Sequence, residues 1–362
     1  MEEKSLRKPV CARGSAQFEV VPATLEHGPA ISQLAASIDG KTGRFGFRLS
    51  LCGDAFEIFS RHPDCRGLVA LTKDGQVVGY HFRRFLSVLI NNEKVKSVLG
   101  FNLYVHPEYR RQGIGSEIYQ AVFKDCTDNG IDLFFGEIEE RNVPSRRQCQ
   151  KSGYVVVRKQ IRAMVTTRRL RPHLPPGIEI TPVDDSELFR WAEGANAFYH
   201  HHDFWQPLSV DLLKTWLTPA NKGCRHRLYA AKGADGQLLA GLGIDDCSQL
   251  FTWVVERVPQ PARVLGRLMR IMDEGGRVPF AKVILLWYRN GNAGVARLLW
   301  EWIRWELRQD VRLIVICYDP LSPMREAVRA SLYLPKTKSI RVARLFRDIQ
   351  INTDSPIGTE FI

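Results

Sequence analysis

The sequence predicts a mixed α/β fold written twice in tandem, on three observations. In residues 99–115, LGFNLYVHPEYRRQGIG, an alternating strand runs into a basic, glycine-containing loop and then a helix. Each half carries a hairpin with an Asp-Gly turn, at Asp74-Gly75 and at Asp235-Gly236. The order strand, glycine loop, helix, strand, polar serine turn, found around residues 95–145, recurs around 283–322. That recurrence suggests a second, degenerate copy of the first fold, although periodicity alone allows another α/β layout. With 362 residues the chain is long enough for about two domains, each with its own core.

Taken in order, residues 18–21 read as a strand, and 25–37 and 49–60 as helices around a glycine-rich stretch at 40–46. Residues 68–72 and 77–89 form the first hairpin, and 95–105 the central strand, where Leu103 and Val105 alternate with Asn102 and Tyr104. His106-Pro107 ends that strand. Apolar residues at 114, 118, 121 and 122 then mark a helix that Gly130 stops. A strand at 133–138, a short helix at 145–151 ending at Gly153, and closing strands within 155–165 complete the first half. The segment RRLRPHLPPG, 168–177, holds three prolines and reads as a linker. The expected division is an arm at 1–16, a domain at 17–167, the linker, and a second domain at 178–362. In the second domain strands are expected at 178–182, 228–231, 238–244, 251–257, 283–287 and 313–317. Helices are expected at 186–198, 209–217, 262–272 and 295–307.

The loop sets the chemistry. Arg110, Arg111, Gln112, Gly113, Ile114, Gly115 and Ser116 place arginine donors and glycine-flanked backbone N–H groups at a helix N-terminus, an arrangement that favours a diphosphate. It lacks the Gly-Lys-Ser/Thr of a Walker loop and the Gly-x-Gly-x-x-Gly of a dinucleotide fold. Arg-x-x-Gly-x-Gly after a strand ending in Val-x-Pro resembles the acetyl-CoA loop of the GCN5-related N-acetyltransferases (GNAT). The flanks match too: a strand at 133–138, Asn142-Val-Pro-Ser145, then Gln150-Lys-Ser-Gly153-Tyr154. The resemblance covers roughly residues 18–165. More loosely, the whole layout resembles the two-domain plant hookless-type N-acetyltransferases.

The resemblance implies a GNAT fold in the first half and a degenerate GNAT-like α/β domain in the second. It implies acetyl-CoA as co-substrate, passing its acetyl group to a primary amine by direct attack in a ternary complex. Backbone groups of Leu103 and Val105 would hold the pantetheine arm, N–H groups from Arg111 to Ser116 the pyrophosphate, and Asn142 and Ser145 would lie beside the pantetheine. For Asn142 a helix cap is the competing reading. The segment between the first two strands would line the acceptor cleft, which makes Phe45, Phe47 and Arg48 candidate contacts beside the simpler reading of core aromatics. A glutamate that some relatives carry earlier on the central strand is replaced here near Leu99. Glu137 or Glu139 could take the amine proton through water; they are read as pointing to opposite faces, so that only one meets the cleft. Where the family supplies a tyrosine to protonate the departing thiolate, this sequence has Cys149, with Tyr154 or Tyr104 as substitutes. A module that binds CoA without turnover is the alternative.

Composition narrows the remaining classes. Hydrophobic residues at 44% and charged ones at 25% are ordinary for a globular protein, and no apolar run approaches a membrane span. The first residues lack the apolar core of a secretory signal. The net charge of +12 invites nucleic acid, but no helix-turn-helix, zinc-finger or RNA-binding pattern accompanies it. Eight scattered cysteines without Cys-x-x-Cys fit a reducing compartment better than a disulfide framework, so a cytosolic or nuclear protein is the default. His200-His201-His202-Asp203 resembles a metal tract, but consecutive helical histidines diverge by about 100°, and no metal is expected. The tryptophans at 300, 302 and 305 read as core and interface, and a homodimer is left open.

Overall fold

A computed structural model of the chain describes residues 18–37, 39–42, 45–62, 64–219, 223–268, 271–328 and 337–358; the expected N-terminal arm lies outside them. The first half runs β1 (Phe18–Pro22), α1 (Gly28–Ala36), β2 (Asp39–Thr42), β3 (Phe45–Leu51), α2 (Ala55–Phe59), β4 (Cys65–Thr72), β5 (Val77–Ile90), β6 (Glu93–Val105), α3 (Ile114–Asp128), β7 (Leu133–Glu139), α4 (Val143–Lys151) and β8 (Val155–Thr166). The second runs β9 (Glu179–Pro182), α5 (Leu188–Tyr199), α6 (Val210–Leu217), β10 (Arg225–Lys232), β11 (Leu238–Asp246), β12 (Phe251–Arg257), α7 (Gln260–Leu268), β13 (Arg277–Val278), β14 (Phe280–Tyr288), α8 (Ala293–Glu306), β15 (Leu313–Tyr318), α9 (Met324–Val328) and β16 (Thr337–Leu345).

Twelve of these strands form one mixed sheet in the order β1-β4-β5-β6-β7-β16-β8-β15-β14-β11-β10-β9. The two ends of that order each begin with a strand, a hairpin and a parallel step: β6 with β7, and β14 with β15. The halves then exchange strands. β16, from the end of the chain, lies between β7 and β8, while β8 lies between β16 and β15. Each visitor fills the other half's core. Ile340 and Val342 of β16 pack with Ile114, Ile118 and Val122 of α3. Ala163 and Val165 of β8 pack with Leu299, Trp300 and Ile303 of α8. The described residues are thus a mixed α/β fold made of two related halves.

Three features differ from the sequence reading. Residues 155–165, expected as closing strands of one domain, form a single strand whose far end belongs to the second half's core. β16 was not expected at all. Residues 45–51 are a strand rather than a glycine-rich stretch running into a helix, because β3 pairs with β12 some two hundred residues later. Such long-range partners override local propensity. β2, β3, β12 and β13 form a second, four-stranded sheet.

The cysteines differ as well. Register His226↔Asp245 between β10 and β11 brings Cys224 opposite Cys247, with Cα atoms 4.3 Å apart and sulfurs in disulfide contact. Cys126 and Cys149 are free and buried. Among the described residues no helix is long and apolar enough to cross a membrane.

The histidine tract divides: His200 and His201 are exposed, while His202 and Asp203 are buried. His202 is buried and its Nε2 lies 2.9 Å from Ser322 Oγ, while Asp203 accepts the Asn91 N–H at 2.8 Å. Trp300 is fully buried, and Arg171 stacks over Trp302 and Trp305, 4.5 and 5.1 Å from their ring centres.

Candidate active site

The site is made by a ladder that stops early. β6 and β7 pair in parallel only from Ser97↔Leu133 to Gly100↔Gly136, yet β6 continues to Val105 and β7 to Glu139. The last pair is close: a Cβ on Gly136 would lie 2.8 Å from the Gly100 carbonyl oxygen, so only glycine fits. Beyond it the strands part. The cause lies in β6, where the register with β5 shifts so that Tyr80 faces Tyr104 but Phe82 faces Phe101, and Asn102 adopts a left-handed φ of 54°. This is a β-bulge, which bends a strand away from its partner. The outer edges of both strands remain paired, β6 to β5 and β7 to β16. Their facing edges are left to line a cleft of about 1520 Å³.

Backbone direction follows by alternation. His106 N–H donates to the Val78 carbonyl at 2.8 Å, toward β5. Val105 and Leu103, one and three residues earlier, therefore turn their backbone groups toward the cleft. The Val105 carbonyl there accepts Arg110 Nε at 3.1 Å, and the Arg110 guanidinium stands over the Tyr104 ring at 5.4 Å.

At one end of the cleft lies the N-terminus of α3. Gly113 caps it with φ 94°, a left-handed conformation that suits glycine, and Arg111 precedes it at φ 66°. A Cβ added at Gly113 or Gly115 would meet nothing within 4 Å, so the backbone is open to an approaching ligand. Helix geometry leaves the first N–H groups without intrahelical acceptors and gives that end a partial positive charge. Ser116 N–H is already spent on the Gly113 carbonyl, at 2.8 Å. Arg83 Nη2 anchors α3 to β5 through Asp125 at 2.6 Å.

All the residues expected to hold the coenzyme or to move protons, except Gln112, line this cleft. The Gln112 amide instead donates to the Glu108 carbonyl at 3.1 Å. Asn142 caps α4, its Oδ1 accepting the Ser145 N–H at 3.2 Å, and Gln148 Nε2 donates to Ser116 Oγ at 3.1 Å. Glu137 and Glu139 both face the cleft. Residues two apart on a strand share a face, which corrects the expectation that only one could. Phe45 and Phe47 side chains lie outside the described residues, and Arg48 is tied to Glu256 at 2.8 Å.

The two carboxylates differ in their surroundings. Glu137 Oε1 lies 3.2 Å from Arg341, a fully buried residue of β16, and Oε2 lies 3.3 Å from Arg162. Burial pushes the Glu137 carboxyl up, but the charges of Arg341, Arg162 and Lys282 outweigh it and hold the group below the usual carboxylate range. A depressed folded pKa gives stability that is present above the unfolded value of about 4.3 and lost as pH falls through the folded one. Between pH 5 and 3 the wild type should therefore lose more stability than Glu137→Gln, as read by urea unfolding; parallel pH profiles would contradict this. Glu139 has no ion pair among the described residues.

Farther along the cleft, Tyr119, Cys149 and Tyr154 form a buried trio, with Tyr119 Oη 3.7 Å from Cys149 Sγ and the two rings 5.6 Å apart. Burial raises the pKa of all three, so they remain protonated at neutral pH. Sequence reasoning missed His81. It is 2% exposed, lines the cleft beside Gly100 and stacks near Phe134; burial and then Arg83 lower its pKa to about 3, so it is neutral. A histidine amid apolar strand residues beside the bulge was its only local signal. Asn102, a residue type tolerated in the left-handed region, was the signal for the bulge itself.

Comparison with known proteins agrees with this geometry. Residues 42–154 match the model of the acetyltransferase (GNAT) family. Over 172 residues the chain is 28% identical to mycothiol acetyltransferase of Mycolicibacterium paratuberculosis; the match takes in 44% of this chain and 48% of that protein, so the chain spans about half the length of the curated relative it matches. Among solved structures, N-myristoyltransferase of Saccharomyces cerevisiae with bound myristoyl-CoA superposes with a TM-score of 0.67 at 8% identity, over 98% of this chain and 91% of that one. A GCN5-related N-acetyltransferase from Sphaerobacter thermophilus gives 0.59 at 15% identity, over 94% and 99%. These structural likenesses span both halves and establish a shared fold.

Proposed function

From a first half that carries a domain of the GNAT acetyltransferase family, we propose that the chain is an acetyl-CoA-dependent N-acetyltransferase acting on a primary amine. The parting of β6 and β7 beside the N-terminus of α3 carries this reading. The open edge at 101–105 offers N–H and C=O groups at strand spacing, to which a pantetheine amide can add as a further strand would. The N–H groups of Gly113 to Gly115, with Arg111 beside them, receive the diphosphate. Held there, the thioester lies where the strands divide, and an amine entering from the far side attacks the carbonyl within one complex. Backbone N–H groups of the bulge would meet the developing oxyanion.

The amine arrives largely protonated. Glu139 is the carboxylate on the cleft without an arginine partner among the described residues, and it takes that proton directly or through one water. Glu137, tied to Arg341 and Arg162, instead sets the wall in place. Tyr154 or Cys149 returns a proton to the departing thiolate. Their raised pKa values make that transfer uphill and would limit turnover. Glu139→Gln is expected to lower kcat by about 100-fold while leaving affinity for acetyl-CoA unchanged; equal kcat would remove Glu139 from the mechanism. The test of the function itself is release of free CoA thiol from acetyl-CoA across a panel of primary amines. Saturable, amine-dependent release is expected. Tight CoA binding with no release above background for any amine would favour a CoA-binding module without turnover, a reading that Cys149 in the family's tyrosine position supports.

A further inference from the structure

A second cluster, remote in sequence from the cleft's loop, lies where β10 meets β11. Cys224, just before β10, is two residues from His226, and Cys247, just after β11, is two residues from Asp245, so the register His226↔Asp245 brings all four together at this end of the hairpin. All are buried, at 5%, 7%, 5% and 2% exposure, and one donor atom from each lies within 4.8 Å of the others. His226 Nδ1 donates to the Trp216 carbonyl, which leaves the Nε2 lone pair pointing inward. That Nε2 is buried, has no hydrogen-bond partner and lies 3.3 Å from Asp245 Oδ1. Cys247 Sγ approaches the same oxygen at 2.8 Å. The other carboxylate oxygen, Oδ2, accepts Arg61 Nη2 at 3.3 Å.

We propose that, with its two sulfurs reduced, this cluster is a tetrahedral Zn²⁺ site formed by Cys224, His226, Asp245 and Cys247. Two sulfurs, one imidazole and one carboxylate form a zinc donor set; the soft sulfurs disfavour Mg²⁺ or Ca²⁺. The surrounding contacts are those a zinc site needs. A carbonyl fixes the histidine tautomer, and an arginine holds the free carboxylate oxygen. Two thiolates and a carboxylate against a doubly charged ion leave one negative charge, which Arg61 offsets. A cavity of about 140 Å³, lined by Arg61, His62, Trp216 and His226, gives access. The disulfide and the metal are mutually exclusive states. A dithiol reductant supplies two electrons and two protons to open the S–S bond and is itself oxidised to a disulfide; the thiol protons leave to solvent as the metal binds. The site is a staple between the halves: Cys224, Cys247 and Leu250 pack on Ile31, Ala55 and Ile58, and the Leu250 carbonyl accepts Cys52 N–H beside β3.

The test uses the full chain treated with a phosphine, which opens the disulfide with water to give two thiols and the phosphine oxide, then desalted and loaded with Zn²⁺ or Co²⁺. One metal per chain by elemental analysis is expected, with a thiolate-to-cobalt charge-transfer band for the Co²⁺ form. Cys224→Ser and Cys247→Ser should each cut bound metal at least tenfold. Should either variant fail to fold, the wild-type cobalt spectrum decides alone. Reduced protein with two extra titratable thiols but no bound metal would overturn the proposal. So would cobalt binding without the thiolate band, metal retained by folded serine variants, or a disulfide that resists the phosphine.

Discussion

Gly113→Glu is expected to weaken acetyl-CoA binding by at least about 100-fold, equivalent to about 2.7 kcal/mol, while the protein stays folded. Two effects act together. Gly113 has φ 94°, and a residue with a Cβ pays about 1–2 kcal/mol there. The added carboxylate also occupies space that is now open, beside N–H groups that would serve the diphosphate. The strain alone should lower Tm by no more than about 8 °C for a chain of this size. Gly113→Asn separates the two effects, because asparagine tolerates the left-handed region and adds no charge. Calorimetry should show Asn losing far less affinity than Glu. Affinity within threefold of wild type in the Glu variant would mean that the phosphates do not sit at α3.

A chain ending at Val328 is expected to lose cooperative folding. It would lack β16, which pairs with β7 on one side and β8 on the other. Ile340 and Val342, 2% and 5% exposed, would leave the core around α3, at about 1.5–3 kcal/mol each. Loss of Arg341 would leave the half-buried Glu137 with Arg162 as its remaining arginine partner, a further cost. Together these approach the whole stability of an ordinary domain, about 5–15 kcal/mol. The measurement is thermal unfolding followed by circular dichroism, with size-exclusion chromatography for aggregation. A monomeric product with a sharp transition near the parent's would show that the first half closes without the exchanged strand.

What could be read from the sequence was local. Gly113 and Gly115 mark an open, left-handed helix N-terminus within a few residues, because helix termini and left-handed turns are specified by adjacent side chains. The Asp-Gly hairpins were legible for the same reason. The exchange of β8 and β16 was not, since pairing Arg341 with Glu137 and Val342 with Gly136 requires partners two hundred residues away. Nor was the disposition of β3, whose strand character comes from β12. The parting of β6 and β7 falls between these cases. Asn102 hints at a bulge, but only the register on both sides of β6 shows that it opens a cleft. Glu137 and Glu139 could have been placed on one face from their spacing alone; which of them an arginine holds could not.

The most direct test of the central claim is a crystal structure of the full chain with CoA. The account predicts the diphosphate against the N–H groups of Gly113 to Gly115 and the pantetheine amides paired along residues 101–105, in the gap before β7. A diphosphate bound elsewhere, or β6 and β7 closed on each other past Gly100 and Gly136 with CoA present, would contradict it.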